Sequence, residues 1–150
     1  MQFEVYQGKK IEVKSNGKIY LTGELQKGSR YRVKLVKDNF FILEWALPAL
    51  LWFSKVDIIF QNLPLPIFDV RSFGLFSFEM TFGENTILVR LRPFRKAYYF
   101  IYFNGEKIGE VFFSKKLTLG NRQFKICIYS HDETINLYVI ISFLLQLIPV

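Results

Sequence analysis

The chain has 150 residues, of which 51% are hydrophobic and 18% aromatic, and its 20 Lys and Arg against 13 Asp and Glu give a formal net charge of +7. This length suits one domain with a sizeable core, and the aromatic content excludes a disordered chain. The positive charge favours anionic partners such as phosphates or an acidic lipid surface.

The cysteine content and the start of the chain bear on its location. Cys127 is the single cysteine, so an internal disulfide is excluded. Residues Met1 to Lys10 are polar and lack the apolar centre of a signal peptide. We therefore expect a cytoplasmic protein, with a peripheral position at the membrane as an open alternative.

Short segments that alternate between apolar and polar residues, separated by turn residues, predict antiparallel sheet. Asn16-Gly17 and Asn104-Gly105 are typical of tight two-residue hairpin turns. The predicted strands are Gln2–Tyr6, Lys10–Lys14, Gly17–Leu25, Arg30–Val36, Val56–Gln61, Phe73–Phe82, Asn85–Arg92, Ala97–Phe103, Lys107–Phe113 and Gln123–Tyr129.

One segment in the first half is apolar on every side and predicts a buried helix. It covers Phe40 to Phe53, where Asp38 or Asn39 can cap the helix and Pro48 kinks or ends it. This segment falls short of the roughly 20 apolar residues of a membrane span. We therefore expect it to lie in the protein core.

A second apolar segment, Ile135 to Val150, predicts a C-terminal helix. Ser130 and Glu133 ahead of it have the spacing of a capping box, and Asp132 favours the positive end of the helix dipole. This segment is also shorter than a membrane span of roughly 20 residues. Burial in a barrel and insertion into a membrane both remain open for it.

The order of motifs favours an internal duplication. Asn16-Gly17 is followed by Gly23-Glu24-Leu25, a basic strand, an Asp and an apolar helix. Asn104-Gly105 is followed by Gly109-Glu110-Val111, a strand, an Asp and the closing helix. The two halves therefore share one order of elements.

The predicted fold class is mainly β (α+β), either an antiparallel barrel or two packed β-sheets. It is built from a duplicated strand-hairpin-strand-helix unit, with two apolar helices of which one is C-terminal. We expect a single domain over residues 1–150, with pseudo-repeat halves at about 1–62 and 73–150. The extended segment Leu63-Pro64-Leu65-Pro66 is the predicted link between them.

The run Tyr102 to Val111 contains a strand, a tight turn and a return strand with a glycine, and a further strand and an apolar helix follow it. This last third of the chain, from about Ala97, resembles the closing part of tubby-like barrels, a group that includes the LURP-one-related and phospholipid-scramblase families. The resemblance implies a closed β-barrel around an apolar helix, here Ile135 to Ile148. The apolar segment Phe40 to Phe53 departs from the family pattern, which has one internal helix.

The ionisable residues do not form a catalytic set, so we expect a non-enzyme without metal or cofactor. His131 is the only histidine, and one histidine with Cys127 does not make the usual zinc site. Glu44 lies in an apolar segment, where we expect a Lys or Arg partner; a functional acid is the alternative. Walker and dinucleotide glycine patterns are absent from the sequence.

Basic residues concentrate in two regions of the chain. If the halves are related by pseudo-symmetry, the two regions converge on one surface that holds lipid headgroups or phosphates. The alternative is that they form solvated strand faces that keep an aromatic-rich sheet soluble. The predicted anion- or lipid-binding residues are Arg30, Arg32, Lys34, Arg90, Arg92, Arg95 and Lys96.

The sequence therefore favours a non-catalytic binding module whose basic face contacts an anionic membrane surface or a phosphorylated ligand. The alternative is a structural or protein-interaction subunit, whose apolar surface is covered by another protein or by a second copy. The mean hydropathy of +0.18 agrees with both. Nucleic acid is not an expected partner, because the aromatic motif of RNA-recognition domains is missing.

Overall fold

The computed structural model describes residues 1–28, 30–48, 56–72, 77–92, 97–113 and 121–146. In these ranges twelve strands form one antiparallel sheet that curves into a nearly closed barrel, and one helix follows them. The elements are β1 (Gln2–Gln7), β2 (Lys10–Ser15), β3 (Lys18–Gln26), β4 (Arg30–Lys37), β5 (Phe40–Pro48), β6 (Asp57–Gln61), β7 (Ile67–Ser72), β8 (Ser77–Phe82), β9 (Asn85–Leu91), β10 (Tyr99–Phe103), β11 (Glu106–Phe113), β12 (Arg122–Ile128) and α1 (Glu133–Gln146).

The sheet joins its two halves through the first and last strands. Neighbouring strands follow the order β6-β5-β4-β3-β2-β1-β12-β11-β10-β9-β8-β7. β1 pairs antiparallel with β12, from Gln2 opposite Cys127 to Gln7 opposite Arg122. β6 and β7 are therefore the two ends of the sheet, and residues 62–66 connect them in the chain.

Helix α1 fills the interior of the barrel. Every residue from Asn136 to Leu145 is buried, which fits the all-round apolar pattern of this segment. Phe143 meets the ring of Phe124 on β12 at 5.0 Å between centroids. Tyr138 stacks on Phe82 of β8 at 3.9 Å. Because β12 and β8 are well separated in the sheet order, the helix has sheet on more than one side.

The helix begins one residue after Asp132, which is its N-cap. Asp132 Oδ1 accepts hydrogen bonds from the backbone N–H groups of Thr134 at 2.8 Å and Ile135 at 3.2 Å. Ser130 Oγ accepts instead from the N–H of Asp132 at 3.1 Å. The predicted capping-box position at Ser130 is therefore wrong by two residues. None of the described helices is long and apolar enough to cross a membrane.

The predicted helix over Phe40 to Phe53 is wrong over Phe40–Pro48, because these residues form β5. Asp38 and Asn39 have φ values of 52° and 64° and form the tight turn between β4 and β5 in place of a helix cap. The rest of the predicted helix, residues 49–53, lies outside the described residues.

The apolar pattern of β5 arises from burial on both of its faces. Leu43 and Trp45 pair with buried residues of β4 and face the core, with no exposed surface. Glu44 and Ala46 lie on the opposite face and are also buried, at 8% and 1% exposure. A strand buried on both faces loses the alternation that distinguishes it from a buried helix.

The mainly β, antiparallel prediction is confirmed, and so are both hairpin turns. Asn16 and Gly17 have φ values of 51° and 75°, and Asn104 and Gly105 have 48° and 87°. The duplicated unit is not confirmed, because its closing element is strand β5 in the first half and helix α1 in the second. The division into two halves stays a prediction.

A substitution at Gly109 of β11 tests how closely β11 approaches β12. A Cβ at this position would lie 2.7 Å from the backbone oxygen of Cys127. That oxygen cannot withdraw without separating the strands, so we expect Gly109→Ala to lower the free energy of unfolding by about 1–3 kcal/mol. Urea denaturation measures the loss.

Gly28→Ala is the matched control, since the nearest atom to a Cβ there is 3.6 Å away. We expect its free energy of unfolding to stay within about 0.5 kcal/mol of the unmodified chain. Equal losses for the two variants would contradict the close approach of β11 and β12.

Candidate anion-binding site

The first basic region lies on the outer face of β4, and two of its three residues have carboxylate partners. Arg30 forms an ion pair with Asp57 of β6. Arg32 Nη1 lies 4.0 Å from Glu44 Oε1 of β5. Such pairs occupy guanidinium N–H groups that a bound anion needs. The β4 region is therefore largely neutralised within the protein.

Glu44 and Lys34 complete this region. Glu44 is the buried carboxylate that the sequence predicted to need a basic partner, and Arg32 provides it at the outer surface. Lys34 Nζ lies 5.9 Å from the ring centroid of Phe41. The ring of Phe41 in turn stacks on Phe60 of β6 at 4.5 Å. The outer face of β4, β5 and β6 thus combines paired cations with stacked aromatic rings.

The second basic region lies on β9, and its arginines have different contacts from those of β4. Arg90 stands directly opposite Phe100 of β10 on the outer face. The guanidinium carbon of Arg92 lies 5.1 Å from the Phe100 ring centroid, and Lys107 Nζ of β11 lies 3.8 Å from it. Within the described ranges neither Arg90 nor Arg92 forms an ion pair.

A guanidinium on an aromatic ring differs chemically from one on a carboxylate. A guanidinium that stacks on a ring keeps its edge N–H groups for an anionic acceptor, whereas one paired with a carboxylate uses them in the pair. The backbone N–H of Arg92 also donates to the carbonyl of Tyr98 at 2.7 Å, which fixes the main chain at the end of β9. We call the surface formed by Arg90, Arg92, Phe100, Lys107 and Glu110 the arginine face.

Lys107 and Glu110 make a local ion pair within this face. Lys107 Nζ lies 2.5 Å from Glu110 Oε1. The hydrogen bond with Glu110 raises the pKa of Lys107 above its ordinary value. Lys107 therefore stays protonated at neutral pH, and the two arginines remain as the cations without a carboxylate partner in the face.

The two basic regions do not converge. β3, β2, β1, β12, β11 and β10 lie between β4 and β9 in one direction of the sheet order, and β5, β6, β7 and β8 lie between them in the other. In a nearly closed barrel this separation places the regions on different sides. Arg95 and Lys96, the other predicted members, lie outside the described residues.

An open cavity near the turn between β1 and β2 brings together further cations. Its volume is about 420 Å³, and Lys9, Lys10 and Arg122 line it together with Glu12. The sequence does not indicate this cavity, because Arg122 comes from β12, which is far from Lys9 and Lys10 in the chain. Glu12 forms an ion pair with Lys14, with 3.5 Å between Oε2 and Nζ.

His131 and Cys127 belong to neither basic region. His131 is exposed beside the helix cap, and Cys127 is a half-buried free cysteine on β12. No set of three His, Cys, Asp or Glu side chains in the described part of the chain is arranged to hold a metal ion.

Comparison with known proteins finds no matching family model, curated protein or solved structure for this chain. A barrel of this kind does not by itself specify a function, which depends on the side chains of its surface.

Phe100 and Lys107 lie on predicted strands, but the sequence pattern does not indicate them as members of the site. We expect Phe100→Leu to lower the free energy of unfolding by about 1 kcal/mol, because both cations lose the aromatic ring. The matched control is Phe112→Leu, on the outer face of β11, whose ring has no cation over it among the described contacts. Urea denaturation of both variants measures the difference, and an equal loss would contradict the cation–π contribution.

Proposed function

We propose that the chain is a non-catalytic binding module that holds phosphate-bearing anions on its arginine face. The ligand class is the headgroup of an anionic membrane lipid or a phosphorylated ligand with the same chemistry. The observation that carries the proposal is that Arg90 and Arg92 have no carboxylate partner among the described residues, while the guanidinium carbon of Arg92 lies 5.1 Å from the Phe100 ring centroid.

The electrostatics of the whole chain support this proposal. A net charge of +7 attracts anionic surfaces over roughly the Debye length of 8–10 Å at physiological salt. Each basic residue near an anionic leaflet contributes about 1 kcal/mol. Two arginines with free N–H groups therefore account for about a 30-fold change in partitioning, since 1.4 kcal/mol corresponds to a factor of ten.

The resemblance of the last third of the chain to tubby-like barrels agrees with the proposal. That resemblance implies a barrel around one apolar helix, and β5 replaces the second helix that departed from the family pattern. We propose that the chain belongs to that group.

Co-sedimentation with vesicles tests the function. We expect binding to phosphatidylcholine vesicles that contain phosphatidylserine, little binding to pure phosphatidylcholine, and loss of binding as salt rises from about 0.1 to 1 M. Neutralising both arginines with Arg90→Gln and Arg92→Gln should lower the partition coefficient about 30-fold. Binding of inositol hexakisphosphate to the chain without vesicles, measured by calorimetry, tests a free phosphate ligand separately from a membrane surface.

The charge-matched control is the pair Arg30→Gln and Arg32→Gln, which removes the same number of charges from the neutralised β4 region. We expect a loss of less than about threefold for this pair, because those arginines already contact carboxylates. Equal losses for the two pairs would show that only net charge matters and would overturn the assignment to the arginine face. Binding that is absent under all conditions would overturn the proposed function.

A further inference from the structure

The cavity beside the turn between β1 and β2 lies where three paired strands end, and we call it the turn cavity. Gln7, the last residue of β1, stands opposite Arg122, the first residue of β12. Gly8 donates its backbone N–H to the carbonyl of Lys10 at 3.0 Å, which fixes the turn. The pairing of β1 with β12 therefore brings Arg122 to the same cavity as Lys9 and Lys10.

The three cations of the turn cavity have no carboxylate partner in the described part of the chain. All 13 Asp and Glu residues of the sequence belong to that part. None of the ion pairs found there involves Lys9, Lys10 or Arg122. Because the other segments of the sequence contain no Asp or Glu, they cannot supply an acidic side chain either. The charges of these three side chains are therefore available to a ligand.

Glu12 is the one carboxylate among the described residues that line the cavity, and it already has a cation of its own. Lys14, which does not line the cavity, places its Nζ 3.5 Å from Glu12 Oε2. The same Nζ lies 5.2 Å from the ring centroid of Tyr6, whose hydroxyl donates to Glu4 Oε2 at 2.8 Å. Lys14 thus balances the charge of Glu12, and the lining of the cavity keeps an excess of positive charge.

The rest of the lining adds neutral hydrogen-bonding groups and room for an organic ligand. Asn121 and Gln123 carry side-chain amides, each with two N–H donors. The volume of about 420 Å³ lies within the roughly 300–1,000 Å³ of small-molecule sites. It is also much larger than the roughly 30 Å³ that one water molecule occupies. The cavity is therefore large enough for a small organic anion.

A phosphate monoester is the anion that matches this lining best. Its phosphate group carries a charge of about −1.5 to −2 at neutral pH and has three strong acceptor oxygens. A guanidinium binds phosphate oxygens in a bidentate manner, and a lysine binds them as a compact charge. Three cations around one cavity repel each other, and a dianion relieves this repulsion more than a monoanion does. A phosphate diester or a carboxylate is therefore a poorer match.

We propose that the turn cavity binds a phosphate monoester, with the phosphate group held by Arg122, Lys9 and Lys10. A soluble phosphate ester and the headgroup of a lipid with a terminal phosphate share this chemistry. β11 and β10 lie between β12 and β9 in the sheet order, so the turn cavity is separate from the arginine face. Binding in the cavity therefore does not depend on the arginine face.

An NMR titration of the full chain with glycerol 3-phosphate tests the proposal, because each backbone amide reports on its own surroundings. We expect saturable shifts of the Lys9, Lys10 and Arg122 amides with one shared dissociation constant. Dimethyl phosphate, a diester, should bind about tenfold more weakly because it carries a single charge. The Arg90→Gln and Arg92→Gln variant should keep the same dissociation constant at these amides. Its behaviour separates failure of the cavity from failure of the arginine face.

Charge-matched variants locate the binding. Lys10→Gln with Arg122→Gln should raise the dissociation constant for glycerol 3-phosphate by about tenfold or more, because hydrogen bonds to charged groups are lost. The control is Lys18→Gln with Lys125→Gln, on β3 and β12 outside the cavity, which should change it less than about twofold. Glu12→Gln should tighten binding severalfold, because it removes the carboxylate of the lining. A gain in affinity does not arise from a damaged fold.

Phosphatidylcholine vesicles that contain phosphatidic acid present the monoester on a membrane and separate the two sources of the ligand. Weaker vesicle binding by the Lys10→Gln and Arg122→Gln variant than by its control would make a lipid headgroup the source, and equal vesicle binding would make it a soluble ester. Three results would each overturn the proposal: no shift of the three amides at millimolar glycerol 3-phosphate, equal affinity for the monoester and the diester, or equal losses in the cavity and control variants.

Discussion

A helix that is apolar on every side has no stable position in water, and this constraint governs the architecture. Ten consecutive residues of α1 from Asn136 to Leu145 are buried, so the sheet has to curve around the helix and not merely cover one face. Twelve antiparallel strands provide that enclosure, and the pairing of β1 with β12 joins the two ends of the strand-forming part of the chain. Asp132 precedes the apolar segment, and its carboxylate accepts hydrogen bonds from N–H groups of the first helical turn.

Because the helix fills the interior of the barrel, we expect ligands to contact its outer surface. The outer surface is not uniform, because the strand order decides which charges meet. On β4 the arginines meet carboxylates of β5 and β6, whereas on β9 they meet the aromatic ring of Phe100. The two basic regions therefore differ in the N–H groups that they leave for an anion.

Alternation in the sequence located most strands and both hairpin turns, because a strand with one wet face leaves a period of two. It failed at β5, where Trp45 and Ala46 are both buried although they face opposite sides. It also failed at β7, where an irregular register between Ile67 and Asp69 interrupts the period. The partners of the arginines were beyond prediction for a related reason: Arg30 and Asp57 are 27 residues apart and meet only through the strand order.

Hydrogen exchange of the α1 amides, followed by NMR, tests the enclosure of the helix most directly. A helix held inside the barrel exchanges only when the barrel opens globally, so its amides should show the same free energy of opening as those of β1 and β12. If the α1 amides exchanged with a much lower free energy while β1 and β12 stayed protected, the helix would be separable from the barrel. That result would contradict the account of a sheet built around its C-terminal helix.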